Sequence, residues 1–182
     1  VQANRTLLAF ETSGSGYFGV LLAAAPDGAR LATAGESAIT LWDSATGEAL
    51  QVLPLAPPGA ATPGGAHHQL VFDAGGERLA LVTAEPGRAS ITIRQWSPAD
   101  GSSAAVMTLP AAHDESSDIA LSPDWRSLAF GREDGTVELW DTAAGARVAV
   151  LPGHQTVVAD VDFNPSGSRL VTGGTDRQTL LW

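Results

Sequence analysis

The sequence predicts an all-β chain of four repeated, four-stranded antiparallel units. Three observations carry this. Short apolar runs are separated by Gly, Pro, Asn and Asp turn signals throughout, and no stretch keeps a 3.6-residue period. A Trp closes a strand-like run at 42, 96, 140 and 182, at spacings of 54, 44 and 42 residues. The segment 119–141, IALSPDWRSLAFGREDGTVELWD, recurs in degenerate form along the chain. A period of ~40–45 residues with four strands per unit is that of a propeller blade. A sandwich would have no reason to repeat one register four times.

The units follow in order. Thr6 to Phe10 reads as a lone strand, and residues 13–16 as a loop. Unit one (11–53) then carries runs at 17–24, 30–33, 39–43 and 49–53, punctuated by Pro26-Asp27-Gly28, Gly35-Glu36 and 44–47. Unit two (54–109) begins with a long Pro/Gly/Ala loop to Ala66. His67-His68 lead into a run ending at Asp73, and runs at 78–83, 91–96 and 104–109 follow. An enlarged loop at Glu85-Pro86-Gly87-Arg88 splits its second and third runs. Unit three (110–151) is punctuated by Ser122-Pro123-Asp124, where proline presets φ and aspartate bonds its own backbone. Its Asp134-Gly135 pair is a hairpin turn. Unit four (152–182) runs from Gly153-His154 through 157–163, the Asn164–Gly167 turn, 169–172 and 178–182.

These residues resemble WD repeats: Gly-His near the start of a unit, Pro-Ser-Gly in its first turn, Trp-Asp at the end of its third strand. The resemblance implies a buried hydrogen-bond set of His, Ser or Thr, Asp and Trp in each blade. Unit four matches in full with His154, Thr172, Asp176 and Trp182. Unit three has His113, Asp134 and Trp140, with Phe130 in place of the hydroxyl. Unit two offers His67 or His68 with Trp96, and unit one offers Thr33, Glu36 and Trp42. The resemblance also implies a partial propeller, four blades of a larger ring. The rival is a small four-bladed ring in which Thr6 to Phe10 completes the last blade. We read 1–182 as one propeller segment, a piece of a longer, bacterial protein.

Composition excludes several functions. Net charge is −10, with 20 acids against 10 bases, so nucleic acid is an improbable partner. All ten bases are Arg, which removes lysine chemistry, and the absence of Cys removes thiolates and disulfides. No apolar run approaches a membrane span, and no signal peptide is expected; the expected location is the cytoplasm. Gly14-Ser15-Gly16-Tyr17-Phe18-Gly19 fits G-x-G-x-x-G, but the run behind it stops at Pro26, leaving no room for a phosphate-binding helix. His67, His68 and Asp73 have no further metal ligands near them in sequence, and no metal or cofactor is expected. The acidic stretch His113–Asp118 could hold a cation or a basic partner, or simply be solvated.

The expected function is a non-catalytic protein- or peptide-binding scaffold, because function sits in loops on such frames. The candidate partner-binding residues are Arg88, Arg132, Glu133, Thr175, Arg177 and His68. The alternative is a sensor or regulatory propeller serving a catalytic domain elsewhere in the parent. An enzyme using the central channel would need inward acids, such as Asp160 and Asp162 on the first strand of unit four. The remaining blades of the parent, or self-association, complete the expected partners. Trp125 stands where sister turns have small residues, and could be a surface anchor or a cover for a blade edge.

Overall fold

The computed structural model describes residues 21–35, 37–55, 66–84, 90–110 and 118–182, with backbone alone at 66–68 and 104–106. Among the described residues, fifteen strands form four antiparallel sheets, in blade order. Blade 1 is β1 (Leu21–Ala24), β2 (Arg30–Ala34), β3 (Ala38–Asp43) and β4 (Ala49–Pro54). Blade 2 is β5 (Ala66–Phe72), β6 (Leu79–Ala84), β7 (Ile91–Trp96) and β8 (Ser103–Leu109). Blade 3 is β9 (Ile119–Leu121), β10 (Ser127–Gly131), β11 (Thr136–Asp141) and β12 (Ala146–Pro152). Blade 4 is β13 (Val158–Phe163), β14 (Leu170–Gly174) and β15 (Thr179–Leu181). The fold is all-β and of propeller type. The expected closing strand at Thr6 to Phe10 and the Gly14–Gly19 stretch lie outside the described residues.

Each blade is a meander whose first turn needs a left-handed residue. Gly28, Gly76 and Gly167 take φ of +70°, +70° and +68° there, which costs glycine nothing. A bulge between Leu41 and Trp42, Arg94 and Gln95, and Leu139 and Trp140 turns the outer strand in blades 1, 2 and 3. Repeating it increases the local twist at the same place in each blade.

The core lies between blades rather than within them. One apolar cluster joins blades 1 and 2 through Ile39, Leu41, Leu53, Leu70, Phe72 and Trp96. A second joins blades 2 and 3 through Val82, Ile91, Ile93, Leu128, Phe130 and Trp140. A third joins blades 3 and 4 through Ala129, Val137, Val158, Val161, Leu170 and Trp182. So blades 2, 3 and 4 each present their tryptophan face to the blade before them. The inner strands pack in series, β1 on β5, β5 on β9 and β9 on β13. Among the described residues no cluster joins blade 4 back to blade 1, and the sheets form an arc.

Candidate interaction rim of blades 3 and 4

The rim rests on a fully formed hydrogen-bond set in blade 4. Thr172, 1% exposed, puts its hydroxyl between two rings. It accepts from the Trp182 indole Nε1 at 3.0 Å and lies 2.8 Å from His154 Nε2. His154 Nδ1 is 3.1 Å from the Asp176 carboxylate, which also accepts the backbone N–H of Gln155 at 2.9 Å and of Gln178 at 3.0 Å. The Gln155 N–H foremost holds the Asp176 carboxyl below its ordinary pKa; burial opposes it, while the Gln178 N–H and His154 reinforce it. All four residues expected from the sequence thus connect, and Asp176 ties the connection before β13 to the turn between β14 and β15. Added side-chain atoms at Gly174 would meet His154 and Asp176, so the network closes around a glycine.

The other blades solve the indole problem differently. In blade 1, Trp42 Nε1 donates to the Thr33 hydroxyl at 2.9 Å. In blade 3, where Phe130 occupies the hydroxyl position, Trp140 Nε1 donates to Glu138 Oε2 at 2.9 Å. Glu138 in turn pairs with Arg147 at 3.1 Å and faces Arg132 at 4.0 Å. Its i, i+2 spacing on one strand face was a usable signal that the sequence reading passed over. Asp134 accepts from the backbone N–H and the hydroxyl of Thr136, closing its own turn. His113 lies outside the described residues.

The blade histidine expected at His67 or His68 needs correction. Backbone register pairs His67 with Thr83, as Val158 pairs with Gly174, with a bulge following each. The pair therefore sits on inner strand β5, four residues or more beyond the place that His154 takes in blade 4. A strand residue there cannot occupy the lead-in loop from which His154 reaches Asp176.

The structure brings part of the candidate set together. The β10–β11 turn carries Arg132 and Glu133, and the β14–β15 turn carries Thr175 and Arg177. The connection between β12 and β13 links them. Val158 N–H donates to the Arg132 carbonyl at 3.1 Å, and Thr175 N–H donates to the Val157 carbonyl at 2.9 Å. Thr175 and Thr156 share a hydroxyl bond of 2.8 Å. Gly135 is pressed so close to the His154 carbonyl that a Cβ would clash with it at 2.3 Å. These contacts make one continuous rim from two turns and a connector. Thr156 is a member the sequence did not single out. Arg177, at φ +67°, is a non-glycine held in the left-handed region at the outer end of this rim.

Arg132 is less open than a loop arginine should be. Its side chain is three-quarters buried beside Glu138, so its guanidinium presents an edge rather than a free arm. Arg88 lies outside the described residues. His68 is described by its backbone, in the β5 bulge rather than in the long loop. Inward of Arg132 stands a carboxyl pair. The Asp118 carbonyl accepts the Gly131 N–H at 3.2 Å. Burial foremost pushes the Asp118 carboxyl up to about 6, against the Ile119 N–H, and the Asp160 carboxylate adds to the rise. Among the described residues no group of three or more His, Cys, Asp or Glu is placed to hold a metal, and no helix is long and apolar enough to cross a membrane.

Trp125 is a blade-edge cover. It sits in the first turn of blade 3, 6% exposed, within the apolar cluster between blades 2 and 3. The Arg78 guanidinium of blade 2 stacks over its ring at 4.5 Å, and Asp73 fixes that arginine at 2.9 Å. The Thr142 hydroxyl donates to the Trp125 carbonyl at 2.6 Å.

The family described as WD domain, G-beta repeat (WD40) matches residues 145–182, the segment that contains the complete network. Two curated relatives, both named "Telomerase protein component 1", come from Mus musculus and Rattus norvegicus. Each is 41% identical over 64 residues, which is 35% of this chain and 2% of the relative. The chain therefore spans about one fiftieth of the length of these relatives. The last blade carries a WD repeat, set in an arc of blades with the same architecture.

Proposed function

We propose that the chain is a non-catalytic scaffold that binds a protein or peptide on the rim of blades 3 and 4. The observation that carries this is the joining of the β10–β11 turn, the 153–157 connector and the β14–β15 turn into one surface by one inter-blade backbone bond, from Val158 N–H to the Arg132 carbonyl, and one within blade 4, from Thr175 N–H to the Val157 carbonyl. A surface fixed this way loses little entropy on binding. WD repeats generally mediate protein interactions, and the repeat match includes the Thr175 to Arg177 half of the rim. The negative chain charge favours protein over nucleic acid as partner. We place this activity in the cytoplasm, within a bacterial parent.

A photo-crosslinking side chain at position 177 tests the reading against one at position 146, which lies at the opposite edge of blade 3. Capture of a protein from position 177 and not from 146 is expected. Equal capture from both positions, or from 146 alone, would remove the rim from consideration. A second reading, a sensor or regulatory propeller attached to a catalytic domain, draws on the relatives' far greater length. It makes the rim the surface that such a domain contacts.

A further inference from the structure

The first turn of each blade closes on a residue in the left-handed region, and three of the four use glycine: Gly28, Gly76 and Gly167. Blade 3 places Trp125 there, at φ +62°. A non-glycine residue in that region carries backbone strain that the surrounding structure must hold, and such outliers point to function. The turn itself does not need the indole. Its backbone closes through the Trp125 N–H to the Ser122 carbonyl at 2.8 Å and the Ser127 N–H to the Ser122 hydroxyl at 2.9 Å. The Thr142 hydroxyl holds the Trp125 carbonyl as Ser44 holds that of Gly28, where no side chain is present. Across the junction, the Ala74 N–H reaches the Pro123 carbonyl at 3.1 Å, so backbone also joins the turns of blades 2 and 3.

The indole is well buried but badly bonded. Trp125 is 6% exposed, and its Nε1 has no hydrogen-bond partner among the described residues. Trp42, Trp140 and Trp182 each donate to an oxygen. A buried N–H without an acceptor costs free energy that contact with water would return. One side of the ring is covered by the Arg78 guanidinium, at 4.5 Å. That side chain is 53% exposed, and a bond from its Nε to Asp73 at 2.9 Å holds it in place. Three features thus meet at one residue: a side chain where sister turns have none, an N–H with no acceptor, and a cover made by a surface arginine.

We propose that Trp125 is a latch with two positions. In the closed position seen here, the indole seals the junction of blades 2 and 3 beneath Arg78. In the open position Arg78 swings aside and the indole turns out onto the edge of the first turns. Its N–H then meets water, while the backbone of the turn stays in place. That edge lies opposite the rim, because consecutive turns of a meander alternate ends. Opening sets a tryptophan beside a free arginine, the residue types on which protein contacts most depend. The latch therefore regulates whether the chain offers an anchor on that edge, and the Arg78–Asp73 pair is its catch. Apolar burial and the stack favour the closed position and the stranded N–H favours the open one, so the minor position is measurably populated.

Fluorine NMR of the 182-residue chain labelled with 5-fluorotryptophan tests this. The label gives one signal for each of Trp42, Trp96, Trp125, Trp140 and Trp182. Trp125→Phe assigns the Trp125 signal by its loss. Arg78→Lys assigns it a second way, by displacing the signal whose ring the guanidinium covers. Saturation transfer should then find a minor state for Trp125 alone, at the shift of solvent-exposed fluorotryptophan. Arg78→Ala, which removes the cover, and Asp73→Asn, which loosens it, should each raise that population at least threefold. Arg169→Ala, in the same place in blade 4, should leave it unchanged. A Trp125 signal with no minor state in the parent chain, a minor state that Arg78→Ala leaves unchanged, or one that Trp96 and Trp140 share at the same rate, as general opening of the junction would produce, overturns the proposal.

Discussion

Replacing Thr172 with valine removes one hydroxyl and leaves the shape of the side chain in place. The hydroxyl serves two rings at once, Trp182 Nε1 at 3.0 Å and His154 Nε2 at 2.8 Å. Thr172 and His154 are both buried, so water does not replace it readily. Each polar group stranded in such a place costs about 1–3 kcal/mol. Two rings give about 2–4 kcal/mol for T172V once partial relaxation of the half-buried indole is allowed. In a chain of this size that is a fall in Tm of about 4–16 °C. The internal comparison is Thr33→Val in blade 1, where the structure shows one ring, Trp42, on the hydroxyl; about half the loss is expected there. Thr179→Val, on an exposed position of β15, controls for exchanging a hydroxyl for a methyl group. Urea and thermal unfolding of the three variants measure the order. A T172V cost below 1 kcal/mol, or equal to that of T179V, would refute the claim that this network holds blade 4.

Three further outcomes follow from the same geometry. Trp125→Gly relieves a left-handed φ of +62°, worth about 1–2 kcal/mol, but empties a buried indole site worth about 3–5 kcal/mol, so a net loss of about 2 kcal/mol is expected in denaturant unfolding. Glu138→Leu should cost about 1–3 kcal/mol by orphaning the Trp140 N–H, whereas Glu138→Gln, which keeps an acceptor, should cost less than about 1 kcal/mol. Asp118 has a folded pKa raised to about 6, so its ionisation penalises the folded state; the penalty is absent below pH 4, grows between about 4 and 6, and persists above. Asp118→Asn should therefore stabilise by about 1–2 kcal/mol at pH 7.5, after discounting for solvent screening, and leave stability at pH 4 unchanged in paired melts.

What could be read in the sequence was what repeats. The tryptophan spacing gave four blades, and the glycine turns marked most strand boundaries, because a left-handed glycine leaves a visible letter, whereas the left-handed Trp125 and Arg177 do not. The blade 4 network was legible since its four members keep fixed spacings from the turns. Substituted functions were harder. Glu138 takes the place of a hydroxyl that Phe130 cannot supply, and only its alternation with Trp140 hinted at this. Trp125 stayed open between surface anchor and blade-edge cover, because its turn position fits either; the packing of blade 2 against blade 3 decides for the cover. The His67-His68 pair misled through residue type: without the β5 register, a histidine on the strand and one in the lead-in loop look alike. The Asp118–Asp160 pair and the Thr156–Thr175 bond join different blades or connectors, so no local pattern announces them. Of the rim residues, the turn positions were readable, but the depth to which Arg132 is buried was not.

The most direct test of the rim as the binding surface is amide hydrogen exchange of the chain alone and with a partner captured through position 177. The account predicts added protection at 131–136, 153–157 and 174–178, with the outer strands β4, β8 and β12 unchanged. Protection confined to those outer strands, with the two turns and the connector exchanging as before, would contradict it.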